Sequence, residues 1–477
     1  MASTHAYAAA TAGRCLDKSL LREYDIRGVV GETLTEPDAY AIGRAYGAML
    51  TAEGGTTTAV GYDGRESAPL LAEALTLGLI ESGVDVLSVG LAATPTLYFA
   101  VHALEADGGV MVTGSHNPPD YNGFKLMLGR RTLHGDDIQA LGRTAAGGGF
   151  VEGVGRVRQA SVADRHVARI VADHDFGHAM KVVWDPGHGA AAGLLPALTA
   201  SLPGEHVLIN CDVDARFPAH HPDPSRAQNL VQLQQEVRRT GANIGFAFDG
   251  DGDRVGVVDG EGGILWPDQM LAFFARDMLA DRPGATIIAD VKASQTVFDA
   301  VRAAGGAPVM WRTGHSLIKA KMAEIGALLA GDMSGHFFFA DRYYGFDDGL
   351  YAAVRALSIL SSAGASLADF RHGLPKVLNT PEIRLECPEA RKCAVVEEVA
   401  ERLREARADF SAVDGVRVAM SDGGWWLLRA SNTENVLAAR CEAWTEEGLD
   451  AALAALAAQL EASGLRLSLE SLAPAPR

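Results

Sequence analysis

The chain has 477 residues, 48% of them hydrophobic and 21% charged, with a net charge of −18. That length exceeds one ordinary core and points to about three or four domains. The acidic balance argues against nonspecific nucleic-acid binding, which needs basic surface, and no apolar run reaches the roughly 18 to 20 residues that span a bilayer.

An anionic substrate would need local clusters of arginine and lysine to overcome the overall field. The N-terminal MASTHAYAAATAGR has no basic start followed by an apolar block, so no secretory leader is expected. Five cysteines (15, 211, 387, 393, 441) are scattered without a CxxC pair and read as reduced thiols of a cytoplasmic protein.

In chain order, SAPLLAEALTLGLIESG (67–83) has the look of a helix, and GGVMV (108–112) is a short apolar run of the buried-strand kind. It empties into TGSHNPPDYNGFK (113–125), where Gly114, Pro118–Pro119 and Asn122–Gly123 rule out ordinary helix or strand. Ser115 and His116 are therefore expected on a stiff loop, with the serine hydroxyl exposed. AAGGGFVEG (145–153) marks a loop near the end of a first unit.

The same grammar recurs. VVW (182–184) runs into DPGHGA, IGFAF (244–248) into DGDGDR, TIIA (286–289) into DVKAS and ALLA (327–330) into GDMSGH, with DQMLAFFARDMLAD (268–281) as an intervening helix. Alternating strands and helices predict mostly parallel sheets with ligand loops beyond the strands' carboxyl ends. The pattern appears about three times. After HGLPKVLNTPEI (372–383) the chain changes character: GWWLLRASNTENVLAARCEA (424–443) reads as two strands around a turn, and TEEGLDAALAALAAQLEASG (445–464) as a helix with a Thr cap and an acidic first turn. The expected fold is α/β, with three related mixed α/β domains (1–160, 161–264, 265–376) and a smaller C-terminal α+β domain (377–477).

DGDGDR is the sharpest chemical signal. Asp249, Asp251 and Asp253 follow a buried-type strand, and carboxylates so close together suit a hard cation such as Mg²⁺ or Ca²⁺. An EF-hand would want a glutamate at its twelfth position and flanking helices; Gly260 stands there and the context is a strand. Arg254 adds a cation beside the site. Ser115 lacks the GxSxG setting of an acyl nucleophile, and a phosphorylated serine bound to a metal would account for both loops at once. RASNTEN (429–435), with Arg429, Ser431, Asn432 and Thr433, suits a phosphate dianion. GDMSGH, with Asp332, Ser334 and His336, suits sugar hydroxyls, and Lys292 and His315 lie in DVKAS and RTGHS.

Taken in order, YDIRG (24–28), TGSHNPPDYNGFK, DGDGDR, TGHS, GDMSGH and RASNTEN resemble the α-D-phosphohexomutase superfamily, most closely its bacterial phosphomannomutase/phosphoglucomutase branch. The resemblance implies a fourth, TATA-binding-protein-like unit and a central cleft. It implies phosphoryl transfer between C1 and C6 of mannose or glucose phosphates, through a phosphoserine and a bisphosphorylated sugar. In that reading Ser115 donates the phosphoryl group, and Mg²⁺ is bound by Ser115, Asp249, Asp251 and Asp253. Tyr24, Arg27, His116, Lys125 and Arg254 lie near the transfer point. Lys292, His315, Asp332, Ser334, His336, Arg429, Ser431, Asn432 and Thr433 bind substrate, and glucose 1,6-bisphosphate is the expected activator. The partners are hexose phosphates, without nucleic acid or membrane, and the expected form is a monomer. One residue departs from the family, whose sugar loop reads GEMSGH: Asp332 keeps the carboxylate but is one methylene shorter, so phosphoglucosamine mutase stays open as an alternative. A metal-dependent phosphatase and a noncatalytic sugar-phosphate binder are the readings from other classes.

Overall fold

The structure is a computed structural model that describes residues 13–364, 366–431 and 435–467. Asn432 and Thr433 lie outside the described residues. The described residues form four sheets. The first holds β1 (Ile26–Val29), β2 (Thr57–Tyr62), β3 (Asp85–Leu91), β4 (Gly108–Val112), β5 (Tyr121–Leu128), β6 (Arg131–Thr132) and β7 (Val157–Gln159). The second holds β8 (Met180–Asp185), β9 (Gly204–Leu208), β10 (Ile244–Phe248), β11 (Val255–Asp259) and β12 (Ile264–Leu265), and the third β13 (Thr286–Asp290), β14 (Ala307–Trp311), β15 (Leu329–Gly331) and β16 (Phe337–Phe339).

One strand order underlies all three. The adjacent strands run β3-β2-β4-β5 in the first sheet, β9-β8-β10-β11 in the second and β14-β13-β15-β16 in the third. In each, the second strand of this order pairs in parallel with the first and the third. The third then pairs antiparallel with the fourth. The third strands GGVMV and IGFAF are buried at every position, because helices cover both faces of the sheet and no polar alternation is needed.

This order corrects one expectation. The loops carrying Ser115, the three aspartates and GDMSGH do not lead into crossover helices; each is the connection of an antiparallel pair. A hairpin loop is anchored by paired strands at both ends, so its side chains are placed more narrowly than at the mouth of a crossover. DPGHGA and DVKAS, by contrast, do lead from β8 and β13 into helical segments.

The expected helices at 67–83, 268–281 and 445–464 are found at Ala68–Glu81, Pro267–Asp281 and Glu446–Ala462. The last is capped by Thr445, whose Oγ1 accepts the Gly448 N–H at 3.1 Å. One continuous apolar cluster joins the first three units, from Leu97 and Phe99 through Trp184 and Phe246 to Phe274 and Tyr351. The fourth sheet is antiparallel throughout: β17 (Leu378–Asn379), β18 (Ile383–Glu386), β19 (Phe410–Ser411), β20 (Val416–Ala419), β21 (Trp425–Ala430) and β22 (Val436–Ala443). It builds its own core with the helices Glu389–Glu405 and Glu446–Ala462. Its apolar joint to the third unit is small, a cluster of Val291, Trp425 and Leu427. Polar contacts supplement it: Arg417 Nη1 donates to the carbonyls of Val291 and Ala293 at 2.7 and 2.8 Å.

Candidate active site

Ser115 sits in the β4–β5 connection with φ of 49°, in the left-handed region that costs an L-residue roughly 1–2 kcal/mol. Its side chain is not exposed, as the loop composition implied, but 1% accessible. Arg65 explains both facts. The guanidinium donates to four carbonyls of the loop, those of Ser115 (2.7 Å), Asn117 (2.6 Å), Pro118 (2.5 Å) and Tyr121 (2.9 Å). Asp63 stands 3.3 Å from its Nε and accepts from the Thr113 hydroxyl and the Gly114 N–H. Neither residue stood out in the sequence; the one signal was DGR (63–65) directly after β2.

Ser115 Oγ donates to Asp249 Oδ2 at 2.7 Å and lies 3.2 Å from His116 Nδ1. Gly250 is required here, since a Cβ at that position would stand 2.3 Å from the Ser115 carbonyl oxygen. Asp249, Asp251 and Asp253 are fully buried and bring one oxygen each within 4.8 Å of one another. Lys125 Nζ reaches Asp251 at 2.7 Å and Asp253 at 2.5 Å. Burial works against its charge, but the two carboxylates hold it well above the ordinary lysine range. Burial and the charges of Asp251 and Asp253 push the Asp249 carboxyl up, against the opposing pull of Arg254 and Lys125. Among the described residues, Asp251 Oδ1 and Asp253 Oδ1 are buried acceptors without a donor. Three buried carboxylates, two of them with an unfilled acceptor oxygen, fit a hard divalent cation. The hydroxyl and backbone N–H of Thr94, at the N-terminus of the helix Thr94–Ala103, brace Asp251 from the first unit.

The third unit closes the ring. The Val255 N–H donates to the Gly335 carbonyl at 3.0 Å, which stitches the aspartate loop to the GDMSGH loop. His336 lies between Asp332 Oδ2 (2.9 Å from Nδ1) and Asp253 Oδ1 (3.4 Å from Nε2). Burial opposes its charge, but these carboxylates prevail and hold the imidazolium up to about 10. Arg254 Nε, 3.2 Å from His336 Nε2, then meets a second cation and not an acceptor. Two like charges side by side make a place for an anion. Asp332 is spent on its own loop, accepting also from the Ser334 and His336 N–H groups at 2.9 and 3.1 Å.

Four family models match the chain. They are the phosphoglucomutase/phosphomannomutase alpha/beta/alpha domains I (residues 18–145), II (164–262) and III (266–378) and the C-terminal domain (382–459). The chain belongs to the phosphoglucomutase/phosphomannomutase family. It is 47% identical over 435 residues to the phosphomannomutase/phosphoglucomutase of Pseudomonas aeruginosa, covering 91% of this chain and 94% of that one. To the Pseudomonas putida protein of the same name it is 46% identical, over 90% and 92%. The crystal structure of a phosphoglucomutase/phosphomannomutase family protein from Burkholderia thailandensis superposes with a TM-score of 0.89 at 43% identity, covering 94% and 98%.

Members of this family are phosphohexomutases, and the other expected site residues sort into two groups in this fold. Arg27 joins the Ser115 loop, donating to Asn117 Oδ1 at 2.5 Å with Asp25 at 2.5 Å on its other side. Tyr24 from the first unit lies across the third: its hydroxyl donates to the Thr313 carbonyl at 2.7 Å, and a Cβ on Gly314 would stand 2.4 Å from its ring. The His315 ring is 5.6 Å from that of His336. Lys292 and Arg429 lie instead where the third and fourth units meet, and Ser431, just beyond β21, accepts from Lys392 Nζ at its carbonyl at 2.6 Å. Lys292 Nζ is 3.4 Å from Glu382, and Arg429 Nε donates to Asp414 at 2.9 Å. Asp414 also accepts the Thr313 N–H at 3.1 Å, so one carboxylate spans both groups. Among the described residues Arg429 Nη2 is buried without an acceptor.

Proposed function

We propose that the protein interconverts hexose 1-phosphates and 6-phosphates, of mannose and of glucose, through a phosphorylated Ser115. The observation that carries the reading is Ser115 Oγ held 2.7 Å from a buried three-aspartate cluster, with Lys125, Arg254 and His336 around it. In the forward direction a C6 hydroxyl attacks the Ser115 phosphate, the Ser115 O–P bond breaks and a 1,6-bisphosphate forms. After that sugar turns over in the cleft, the Ser115 hydroxyl takes the phosphate from C1 and a 6-phosphate leaves. Arg27, His116, Lys125 and Arg254 steady the transferring group by position and charge. Lys292, His315, Ser334 and His336 line the sugar side. Arg429 and Ser431, with Asn432 and Thr433, grip the phosphate that is not transferring.

Mg²⁺ on Asp249, Asp251, Asp253 and the Ser115 phosphate would neutralise negative charge on the transferring group. Glucose 1,6-bisphosphate is the expected activator, since it can rephosphorylate Ser115. The working unit is proposed as a cytoplasmic monomer divided near residues 160, 264 and 376; no described helix is long and apolar enough to cross a membrane. Phosphoglucosamine mutase is the weaker alternative, because relatives across nine-tenths of the chain bear mannose and glucose names.

The test is to assay isomerisation of mannose, glucose and glucosamine 1-phosphates side by side while mapping phosphate on the protein by peptide mass. The expected result is turnover of the first two with phosphate on Ser115. Release of inorganic phosphate without isomerised sugar, or phosphate on another residue, would refute it.

A further inference from the structure

The turn before the helix Gly349–Ala363 carries two adjacent aspartates that face different parts of the molecule. Asp348 caps that helix through the Tyr351 N–H at 3.0 Å and accepts from the Tyr343 hydroxyl at 2.8 Å. Asp347 turns toward the active site. Its Oδ1 accepts from Lys319 Nζ at 2.7 Å, and its Oδ2 stands 3.6 Å from His315 Nδ1. His315 and Lys319 are four apart on the helix His315–Ile325, so one carboxylate faces both. Tyr98 from the first unit closes the pocket behind, its ring centroid 4.2 Å from Lys319 Nζ.

Among the described residues, both Asp347 Oδ2 and His315 Nδ1 are buried and lack a hydrogen-bond partner. An imidazole lone pair aimed at a carboxylate from 3.6 Å is repelled, whereas an N–H is attracted, and a rotation of a few degrees brings it into bonding range. The ring is also kept from taking a second proton. Burial lowers its basicity, and Lys319, Lys125 and His336 add like charge.

We propose that Asp347 is the positioning residue of His315: it fixes the imidazole with its proton on Nδ1 and leaves Nε2 as the lone-pair nitrogen offered to the phosphosugar. This rests on the mutase reading for what His315 meets, but the tautomer itself does not. Lys319 plays the supporting part of neutralising the carboxylate, which would otherwise stand buried beside Asp253.

The experiment is ¹⁵N–¹H correlation spectroscopy of the histidine-labelled full chain, with His315 assigned by its loss in His315→Gln. The wild type should show His315 protonated on Nδ1. The pair Asp347→Leu with Lys319→Met removes the acceptor and both charges at similar volume; it should move the proton to Nε2 and lower kcat at least tenfold with KM changed less than threefold. Asp347→Asn with Lys319→Met restores an acceptor oxygen and should return the Nδ1 signal and most of kcat. A wild-type His315 protonated on Nε2 would overturn the proposal, and that measurement decides even if the Leu variant fails to fold. An Nδ1 signal in a protein without mutase activity would instead refute the function and leave the positioning role standing.

Discussion

Replacing Arg65 by alanine should do more damage than its distance from the chemistry implies. The guanidinium is one of the largest fully buried side chains and serves four loop carbonyls and Asp63. Counted singly, hydrogen bonds from a charged donor at about 1.5–3 kcal/mol each would come to well over 5 kcal/mol. Two effects reduce that sum. Pro118 is exposed, so water can take over part of the lost bonding, and Ser115 would be free to leave its left-handed backbone and recover roughly 1–2 kcal/mol. What remains is a buried Asp63 without its cation, and breaking such a pair costs about 3–5 kcal/mol. Stability of the first unit should fall by about that amount in urea unfolding, and the released serine should turn over phosphate at least a hundredfold more slowly. Arg65→Lys, with one ammonium for four carbonyls, should recover some stability but little turnover. An Arg65→Ala protein within 1 kcal/mol of wild type on the measured scale, with kcat unchanged, would refute the claim that Arg65 shapes the serine loop.

Ser115→Ala removes one buried hydrogen bond, so it should cost only about 0.5–1.5 kcal/mol of stability while abolishing both turnover and the extra phosphate seen by intact mass. Asp251→Asn, or excess chelator on the wild type, should weaken Mg²⁺ binding measured by calorimetry and slow transfer; full activity in chelator would contradict the metal assignment. Arg429→Ala should raise KM about ten- to a hundredfold with a smaller change in kcat, since a charged hydrogen bond to phosphate contributes about 1.5–3 kcal/mol. Burial pushes the Asp290 carboxyl up to about 6 from 3.8, with Lys292 opposing and Asp332 adding to the effect. A carboxyl raised in the folded state stabilises the fold below its unfolded value and loses that contribution as pH rises through about 6, here about 3 kcal/mol. Urea midpoints of wild type should therefore fall between pH 4 and 7 relative to Asp290→Asn; parallel slopes would show that Asp290 does not carry the effect.

Much of this was legible in the residues because each chemical loop announces itself locally. Three aspartates after a buried strand, or a serine between glycine and paired prolines, allow few other readings. The hairpin setting of these loops was not legible. A run such as IGFAF buries both faces whether its neighbour is parallel or antiparallel, so periodicity cannot distinguish the two. Arg65 and Asp347 were hidden for another reason. They act across 50 residues of chain in one case and 28 in the other, and neither stands in a stretch whose composition is unusual. The burial of Ser115 was misread on the same account, since the side chain that shelters its loop belongs to a different strand end. The shortened Asp332 could be seen in the sequence, but its commitment to His336 and to two N–H groups of its own loop could not.

The uneven distribution of apolar contact among the four units carries a consequence for how the molecule comes apart. Units one to three share one large buried cluster in addition to their separate cores, whereas the fourth meets them through three core side chains and a set of polar contacts. Calorimetry should therefore register two cooperative bodies and not four, with the C-terminal one melting on its own. The serine and the aspartates lie in the larger body, and Arg429 lies in the smaller. If Arg429 grips the distal phosphate as proposed, that capture can be loosened, by heat, by mild denaturant or by an opening motion, while the serine and aspartate loops stay assembled.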